Sequence, residues 1–204
     1  MAKRQRDFDL IIWGATGFTG ALVAEYMAQT YGTAGSLRWA LGGRSEKKLQ
    51  SLQQTLQTRY AGAPLPLVVA DSEDPASLQG MVQRTRVVCT TVGPYARYGT
   101  PLVAACATSG THYCDLTGEV QWMARVIPEY QAAAEASGAR LVHTCGFDSI
   151  PSDMGTWFLQ QRMLERHGEP SHYVKARVGR NKGSASGGTI ASMLEVLEEA
   201  RRDS

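Results

Sequence analysis

Short apolar segments alternate along the chain with longer amphipathic stretches. Six of the apolar segments are typical of buried strands, and each is followed by a stretch in which apolar residues recur every three or four positions, as in a helix. The predicted strands are residues 8–13, 37–41, 67–70, 86–91, 111–116 and 140–145. Six strand-then-helix units predict an α/β fold: a doubly wound, Rossmann-type parallel sheet with helices on both faces.

Several helix ends are marked by residues with suitable chemistry. Ser45 is placed to cap a helix whose apolar residues follow at helical spacing, and Asp74 with Pro75 marks another helix start. Gly110 and Gly138 stand where the left-handed residue that ends a helix is expected. Further predicted helices cover residues 127–137 and the stretch from Pro151 to about residue 166.

The pattern changes after residue 168. Residues 172–178 alternate as a half-buried strand does, residues 179–188 form a polar connection rich in Gly and Ser, and residues 190–202 form an amphipathic helix. One strand and one helix cannot enclose a core of their own. We therefore expect an NAD(P)-binding domain at residues 1–168 and the start of an incomplete second α/β substrate domain at residues 169–204.

A glycine-rich turn follows the first predicted strand and opens the first predicted helix. One glycine permits a sharp turn, a second lets backbone N–H groups approach a pyrophosphate, and a third lets the helix pack closely on the strand. The helix N-terminus carries about half a positive charge, which would face the phosphates. The turn therefore predicts a dinucleotide site, whose residues are Gly14, Ala15, Thr16, Gly17, Phe18, Thr19 and Gly20.

The end of the second predicted strand indicates which dinucleotide binds. Sites that prefer NAD place Asp or Glu about 20 residues after the turn, where it accepts a hydrogen bond from the ribose 2′-OH. This chain has Arg44 and Ser45 instead, a forked cation and a hydroxyl donor suited to a 2′-phosphate. We therefore predict NADP, with NAD as the alternative and a merely solvated Arg44 left open. Asp71, after the third strand, is expected near the adenine or its ribose, unless it serves only a turn or helix cap.

The loop after the fourth predicted strand should line the ribose and nicotinamide, since ligands of such sheets lie beyond the carboxyl ends of the strands. Its expected cofactor contacts are Val92, Gly93, Pro94 and Tyr95. Tyr95 is also a candidate catalytic residue, although packing of its ring in the core explains it equally well. Asp148, in the loop after the sixth strand, is the second candidate, for proton transfer or substrate orientation. Asp115 shares that edge of the sheet and is an alternative to Asp148.

Composition limits the remaining classes of function. The 204 residues carry a formal charge of +2 and are 43% hydrophobic, which excludes a disordered chain and gives no basic cluster for nucleic acid. The longest apolar run, residues 102–107, is far shorter than the roughly 20 residues of a transmembrane helix. Four scattered cysteines without a CxxC pair predict no metal site and suit the reduced thiols of a cytoplasmic protein. His112 and His143 are interpreted as sheet residues, and Asp153 as a carboxylate at a helix N-terminus.

Five motifs in order resemble one family. They read GATGFTG from residue 14, LGGRS from 41, TVGPYARYG from 91, YCDLTGE from 113 and GFDSIPSDMG from 146. This set is similar to the saccharopine dehydrogenase-like oxidoreductases, on the branch that includes the mycobacterial trans-acting enoyl reductases. The resemblance runs from about residue 8 to the SGGT turn at residues 186–189.

The resemblance implies a Rossmann domain followed by an α/β substrate domain and NADP or NAD as hydride carrier. For the enoyl reductase branch it also implies a role in complex lipid or glycolipid synthesis. Gly14 to Gly20, Arg44 and Val92 to Tyr95 would be the cofactor contacts. Members of the family extend well beyond residue 204, so catalysis by this polypeptide alone stays an open question. We expect a small-molecule or lipid-linked substrate, and we leave open a homodimer and peripheral membrane association.

Competing classes make different demands on the sequence. Short-chain dehydrogenases need a Tyr-x-x-x-Lys pair, and none of the eight tyrosines has Lys four residues later. A semialdehyde or acyl-phosphate dehydrogenase needs a nucleophilic cysteine, for which Cys145 is the one candidate at a strand end. A non-catalytic NADP-binding sensor or scaffold is the third alternative. The helix at residues 190–202 is interpreted as a core or domain-contact helix, because its polar face is largely acidic rather than basic.

Overall fold

A parallel sheet organises the chain, for which a computed structural model describes residues 5–180, 182–183 and 187–202. Its six strands within those ranges lie in the order β3-β2-β1-β4-β5-β6, and every neighbouring pair is parallel. This order is typical of dinucleotide-binding folds. The predicted fold class is therefore confirmed. The strands are β1 (Phe8–Trp13), β2 (Trp39–Gly43), β3 (Leu67–Val69), β4 (Thr85–Thr90), β5 (His112–Cys114) and β6 (Leu141–Val142).

The helices of the described residues begin and end largely where the sequence marks them. Ser45 accepts a hydrogen bond from the Lys48 N–H at the start of the second helix, and Asp74 accepts from two N–H groups of the third. Gly110 and Gly138 adopt the predicted left-handed conformation. The helices are α1 (Phe18–Tyr31), α2 (Glu46–Tyr60), α3 (Pro75–Val82), α4 (Tyr95–Tyr98), α5 (Thr100–Ser109), α6 (Val120–Ser137), α7 (Ile150–His167) and α8 (Gly187–Arg202).

Apolar residues of the central strands bury on alternate faces of the sheet. Ile11 joins a cluster with residues of α3, α5 and α6, whereas Ile12 joins a second cluster with residues of α1 and α2. Both isoleucines are fully inaccessible to solvent. Because β1 is covered on both faces, residues 10–13 form an unbroken apolar run, and the carboxyl end of the strand is held at the centre of the sheet.

One predicted helix start and one predicted strand are wrong. Helix α6 begins at Val120, seven residues before the expected start, and Pro128 lies inside it. Its first turns are stabilised by burial of Trp122 and Val126, which offsets the hydrogen bond that proline cannot donate. The predicted strand at residues 172–178 is absent from the described segment 171–180, where Tyr173 and Val178 are 70% and 75% exposed. A strand needs a partner for its N–H and C=O groups, and none of the six strands in the described ranges pairs with this segment.

Part of the predicted polar connection, residues 181 and 184–186, lies outside the described residues. The domain boundary at residue 168 stays a prediction. No helix in the described part of the chain is both long and apolar enough to cross a membrane.

Candidate functional site

A cleft of about 350 Å³ opens at the carboxyl ends of the central strands, where the strand order reverses between β1 and β4. In doubly wound sheets this switch point is where ligands bind, because the loops leave it in opposite directions. Its walls are residues Trp13, Gly14, Thr16, Gly17, Phe18, Thr19, Gly43, Arg44, Asp71, Ser72, Glu73, Thr91, Val92, Gly93, Tyr98 and Gly188.

Two positions of the glycine turn at residues 14–20 can be occupied only by glycine. Gly14 has a φ of +84°, and a Cβ placed there would lie 2.6 Å from Cγ2 of Val92. A Cβ on Gly20 would lie 2.1 Å from the carbonyl oxygen of Gly14. The N–H of Gly17 donates to that same oxygen at 2.9 Å, which closes the turn. The strand, the turn and the first helical turn therefore pack as one unit.

The N-terminus of α1 is suited to an anion. Its N-cap is Gly17, whose lack of a side chain means that no side-chain cap satisfies the first N–H groups, and its first turn carries no acidic residue. The partial positive charge of the helix therefore faces the cleft, where phosphate groups are favoured. Ala15 and Gly20 are buried and hold the turn, with the Ala15 N–H donating to the Gly42 carbonyl at 3.0 Å.

At the end of β2 the structure brings Arg44 and Asp71 to the same cleft. Arg44 is exposed and lines the cleft, so its guanidinium is accessible to a bound anion. Ser45 caps α2 instead of lining the cleft wall. Asp71 lines the cleft, and its Oδ1 accepts from the Glu73 N–H at 3.0 Å in a turn. Its place beside the adenine or its ribose stays a prediction.

Sequence reasoning missed several of the residues that line the cleft. Trp13 and Gly43 end strands β1 and β2, Ser72 and Glu73 follow Asp71, and Tyr98 ends α4. The sequence could have indicated all five as cleft residues, because each lies within a few residues of a predicted strand end or of a predicted cofactor contact. Gly188 had no such signal, since it comes from α8, about 95 residues beyond the loop that it faces.

Of the loop after β4, Val92 and Gly93 line the cleft and Pro94 precedes α4. Tyr95 is buried, and its ring packs against Trp122 with centroids 5.5 Å apart. Its hydroxyl donates to the Thr90 carbonyl at 3.4 Å and accepts from the Leu116 N–H at 3.5 Å. Burial raises the pKa of the Tyr95 phenol far above its ordinary value. The ring therefore forms the floor beneath the loop, and its hydroxyl already has partners.

Asp115 is buried in a network of its own. Its Oδ2 lies 2.6 Å from His143 Nδ1 and accepts from the Tyr113 hydroxyl at 2.8 Å, while Oδ1 accepts from the N–H groups of Thr117 and Thr144. His112 accepts at Nδ1 from the Arg140 N–H at 3.0 Å. Asp115 and His143 thus join the end of β5 to the loop after β6. These contacts agree with the interpretation of both histidines as sheet residues.

A second cavity of about 580 Å³ adjoins the cleft at the loop after β4. Four residues line both spaces: Thr19, Thr91, Gly93 and Gly188. Helix α8 contributes Met193, Val196 and Leu197 to the lining of this cavity, and Tyr95 and Leu116 also line it. Asp148 is exposed and contributes a carboxylate to this cavity, next to Glu119 and Ser192. A ligand there would touch an apolar surface with a few acidic and hydroxyl groups.

Cys145 lacks the setting of a nucleophile. Burial raises the pKa of its thiol, and the nearby Cys114 and Asp115 raise it further. A catalytic cysteine needs the opposite, a pKa lowered by a cationic or basic partner. The structure therefore gives no support to the cysteine-dependent alternative.

The strand order, the glycine turn and the uncapped helix end define a dinucleotide-binding Rossmann domain. The model of the saccharopine dehydrogenase NADP binding domain family matches residues 10–142, and the chain belongs to this family. The predicted family and the predicted NADP cofactor are both confirmed.

Two relatives extend this finding over the whole chain. The chain is 46% identical over 203 residues to a Mycobacterium tuberculosis protein whose name places it among the trans-acting enoyl reductases. It is 42% identical over 204 residues to the trans-acting enoyl reductase of Mycobacterium bovis. Both alignments cover 100% of this chain but 47% and 48% of the relatives. The chain thus spans about half the length of these relatives.

Solved structures share the fold. Saccharopine dehydrogenase from Saccharomyces cerevisiae superposes with a TM-score of 0.58 at 15% identity, over 79% of this chain and 32% of that one. Citrobacter triphenylmethane reductase in complex with NADP(H) has a TM-score of 0.50 at 15% identity, over 77% of this chain and 54% of that one. At such identities the likeness concerns the fold alone.

Proposed function

We propose that this chain is the cofactor-binding part of an NADPH-dependent reductase, and that its substrate carries an enoyl group next to an apolar chain. The observation that carries this proposal is the apolar cavity that continues the cofactor cleft past Gly93. A substrate in that cavity would lie against the nicotinamide end of a dinucleotide held by the glycine turn. The names of the relatives support an enoyl group over the imine or carbonyl alternatives.

The residues of the chain divide the task between them. The N-terminus of α1 holds the pyrophosphate, Arg44 the 2′-phosphate, and the backbone at Val92 and Gly93 the nicotinamide side. Bound NADPH supplies the hydride, and the protein supplies binding and orientation. The wall formed by Met193, Val196 and Leu197 holds the apolar part of the substrate and excludes water from the reacting carbon. Asp148, at the exposed side of the cavity, is placed to orient the substrate or a water that delivers the proton.

The apolar cavity also supports a lipid-linked substrate, and with it a role in lipid or glycolipid synthesis. The four free cysteines agree with work in the reducing cytoplasm, where NADPH is available.

Two measurements test the proposal. Titration with NADPH, followed by the fluorescence of the nicotinamide, should give saturable binding that is tighter than for NADH. Oxidation of NADPH should then be followed at 340 nm with trans-2-dodecenoyl-N-acetylcysteamine as the enoyl probe. An aliphatic imine and an aliphatic ketone of equal chain length serve as controls. Turnover of the enoyl probe alone supports the proposal, whereas preference for the imine or the ketone would contradict it.

A sensor or scaffold predicts another result. Saturable NADPH binding without oxidation of any of the three probes, in a form of the protein as long as the relatives, would favour that alternative. Without NADPH binding, neither function would remain.

A further inference from the structure

One carboxylate joins two parts of the site that are far apart in sequence. Glu119, at the start of α6, is only 3% exposed. Its Oε1 accepts from the Tyr95 N–H at 2.8 Å and its Oε2 from the Ala96 N–H at 2.7 Å, so it holds the beginning of α4. Oε1 also accepts from the Ser192 hydroxyl of α8 at 2.8 Å. The same side chain therefore contacts the loop at the nicotinamide end and the helix that walls the apolar cavity.

Two further contacts draw the same elements together. Arg97 of α4 forms an ion pair with Glu195 of α8, with 2.8 Å between Nη2 and Oε2. At Gly93, a Cβ would lie 3.4 Å from the Ser192 hydroxyl oxygen, so α8 packs directly over the loop backbone. Ser192 and Glu195 are three residues apart and thus share one side of α8.

The Glu119 contact differs in kind from the Arg97 ion pair. Arg97 is more than half exposed, and exposed ion pairs contribute little because water and salt screen them. Only 3% of Glu119 is exposed, at the cavity wall, so each of its hydrogen bonds is strong and each lost partner leaves a buried charge less satisfied. Of the two contacts, Glu119 is thus the one expected to hold α8 in place.

We propose that Glu119 is a positioning residue that couples α8 to the loop at Gly93. Through Tyr95 and Ala96 it fixes the backbone that meets the nicotinamide, and through Ser192 it fixes the wall that meets the substrate. The distance between hydride donor and substrate is then set by one carboxylate. The catalytic consequence rests on the proposed reductase function, whereas the coupling itself is a property of the chain that needs no substrate.

The coupling is tested with Ser192→Ala, Glu119→Gln and the double variant, by amide hydrogen exchange with mass spectrometry. Loss of a hydrogen bond to a charged group shifts a local opening equilibrium by about tenfold or more. Ser192→Ala should therefore raise the amide exchange rate in residues 187–198 by about tenfold. It should also raise the exchange rate in residues 93–98, a segment far from Ser192 in the sequence. Ser51→Ala, an exposed serine on α2, is the matched control and should change neither segment.

The double variant distinguishes coupling from two independent effects. If Glu119 is the link, the effects of the two substitutions should be less than additive, because Gln keeps only one acceptor oxygen for three donors and the Ser192 contact is already weakened in that variant. Additive effects, or a Ser192→Ala variant with unchanged exchange at residues 93–98, would overturn the proposal. Should Glu119→Gln fail to fold, Ser192→Ala still decides, because it removes one hydroxyl from a half-buried position.

Catalysis provides a separate measurement. With the enoyl probe, Ser192→Ala should raise the KM for the probe and leave the Kd of NADPH within about twofold of the wild type. Conservative Ser192→Thr keeps the hydroxyl and should restore both segments toward wild-type exchange. If exchange shows coupling but no variant or wild-type protein oxidises NADPH, the reductase proposal fails and the coupling stands. If NADPH is oxidised and exchange shows no coupling, Glu119 has only a local role and this inference fails alone.

Discussion

The most direct test of the glycine turn is Gly20→Ala. In the structure a Cβ at this position would lie 2.1 Å from the carbonyl oxygen of Gly14, 2.8 Å from its carbonyl carbon and 2.9 Å from Cα of Ala15. All three contacts are with backbone atoms, so no side chain can rotate to relieve them. Since Cβ contacts below 3.0 Å are essentially never seen, α1 and the turn must separate by about 0.9 Å, the difference between 3.0 and 2.1 Å.

Such a separation has two measurable results. Overpacking of this kind lowers the free energy of unfolding by about 1–3 kcal/mol, which corresponds to a fall in Tm of about 2–12 °C for a chain of this size. It also moves the N–H groups of α1 away from the phosphates, so their hydrogen bonds to the phosphate oxygens become too long to be strong. NADPH should therefore bind at least about tenfold more weakly. Thermal unfolding and fluorescence titration measure the two effects.

Gly80→Ala is the matched control for this experiment. Gly80 also lies within a helix, α3, but nothing lies within 4 Å of a Cβ built there, and the position is exposed. Alanine should therefore keep or slightly raise the Tm, by the helix propensity that glycine lacks, and leave NADPH binding unchanged. If Gly20→Ala matched Gly80→Ala in both measurements, the close approach of α1 to the turn, and the phosphate site built on it, would be refuted.

Three further predictions concern single side chains around the cleft. Arg44→Ala should weaken NADPH binding by about tenfold or more and leave NADH nearly unaffected, because only NADPH carries the 2′-phosphate; equal losses for both nucleotides in parallel titrations would contradict this. Tyr95→Phe removes a hydroxyl bonded only to backbone, so the Tm should fall by a few degrees, about 1 kcal/mol, with turnover of the enoyl probe within about threefold. A loss of turnover of about 100-fold or more would instead make Tyr95 a proton donor. Because burial and the nearby Cys114 and Asp115 raise the pKa of Cys145, its alkylation by iodoacetamide, located by peptide mass spectrometry, should accelerate at a higher pH than that of an unstructured cysteine peptide. Rapid alkylation of Cys145 at pH 7 would show instead that its thiol is activated, as a nucleophilic cysteine requires.

The parts of the fold that could be predicted are those decided by neighbours in sequence. The glycine turn, the cap at Ser45 and the first strand are each specified by residues within one element, so spacing alone located them. The start of α6 was misplaced for the same reason. Pro128 suits the first turn of a helix, and only the burial of Trp122, whose Nε1 donates to Thr100 at 2.9 Å, shows that the helix begins earlier.

The candidate site shows the same division. Arg44 and Val92 could be predicted because strand ends point to them. The role of Glu119 could not, since its partners Tyr95, Ala96 and Ser192 lie 24, 23 and 73 residues away in sequence. A carboxylate in a loop has the same local pattern whether it binds a ligand or accepts backbone N–H groups from a distant helix. Burial and partners decide between the two, and both are tertiary properties.

Burial also separates the two residues first considered for catalysis. A proton donor must reach the substrate with a hydrogen that makes no other hydrogen bond. Burial raises the pKa of the Tyr95 phenol, which makes its proton harder to release. Asp148 has the opposite setting, since it is exposed at the cavity and open to solvent exchange. Reduction of an enoyl group needs the hydride placed with precision, whereas the proton can come from water that such a carboxylate orients. If the proposed reductase function is correct, Gly93 and α8 would set the hydride geometry, and the proton would enter at the exposed side of the cavity, near Asp148.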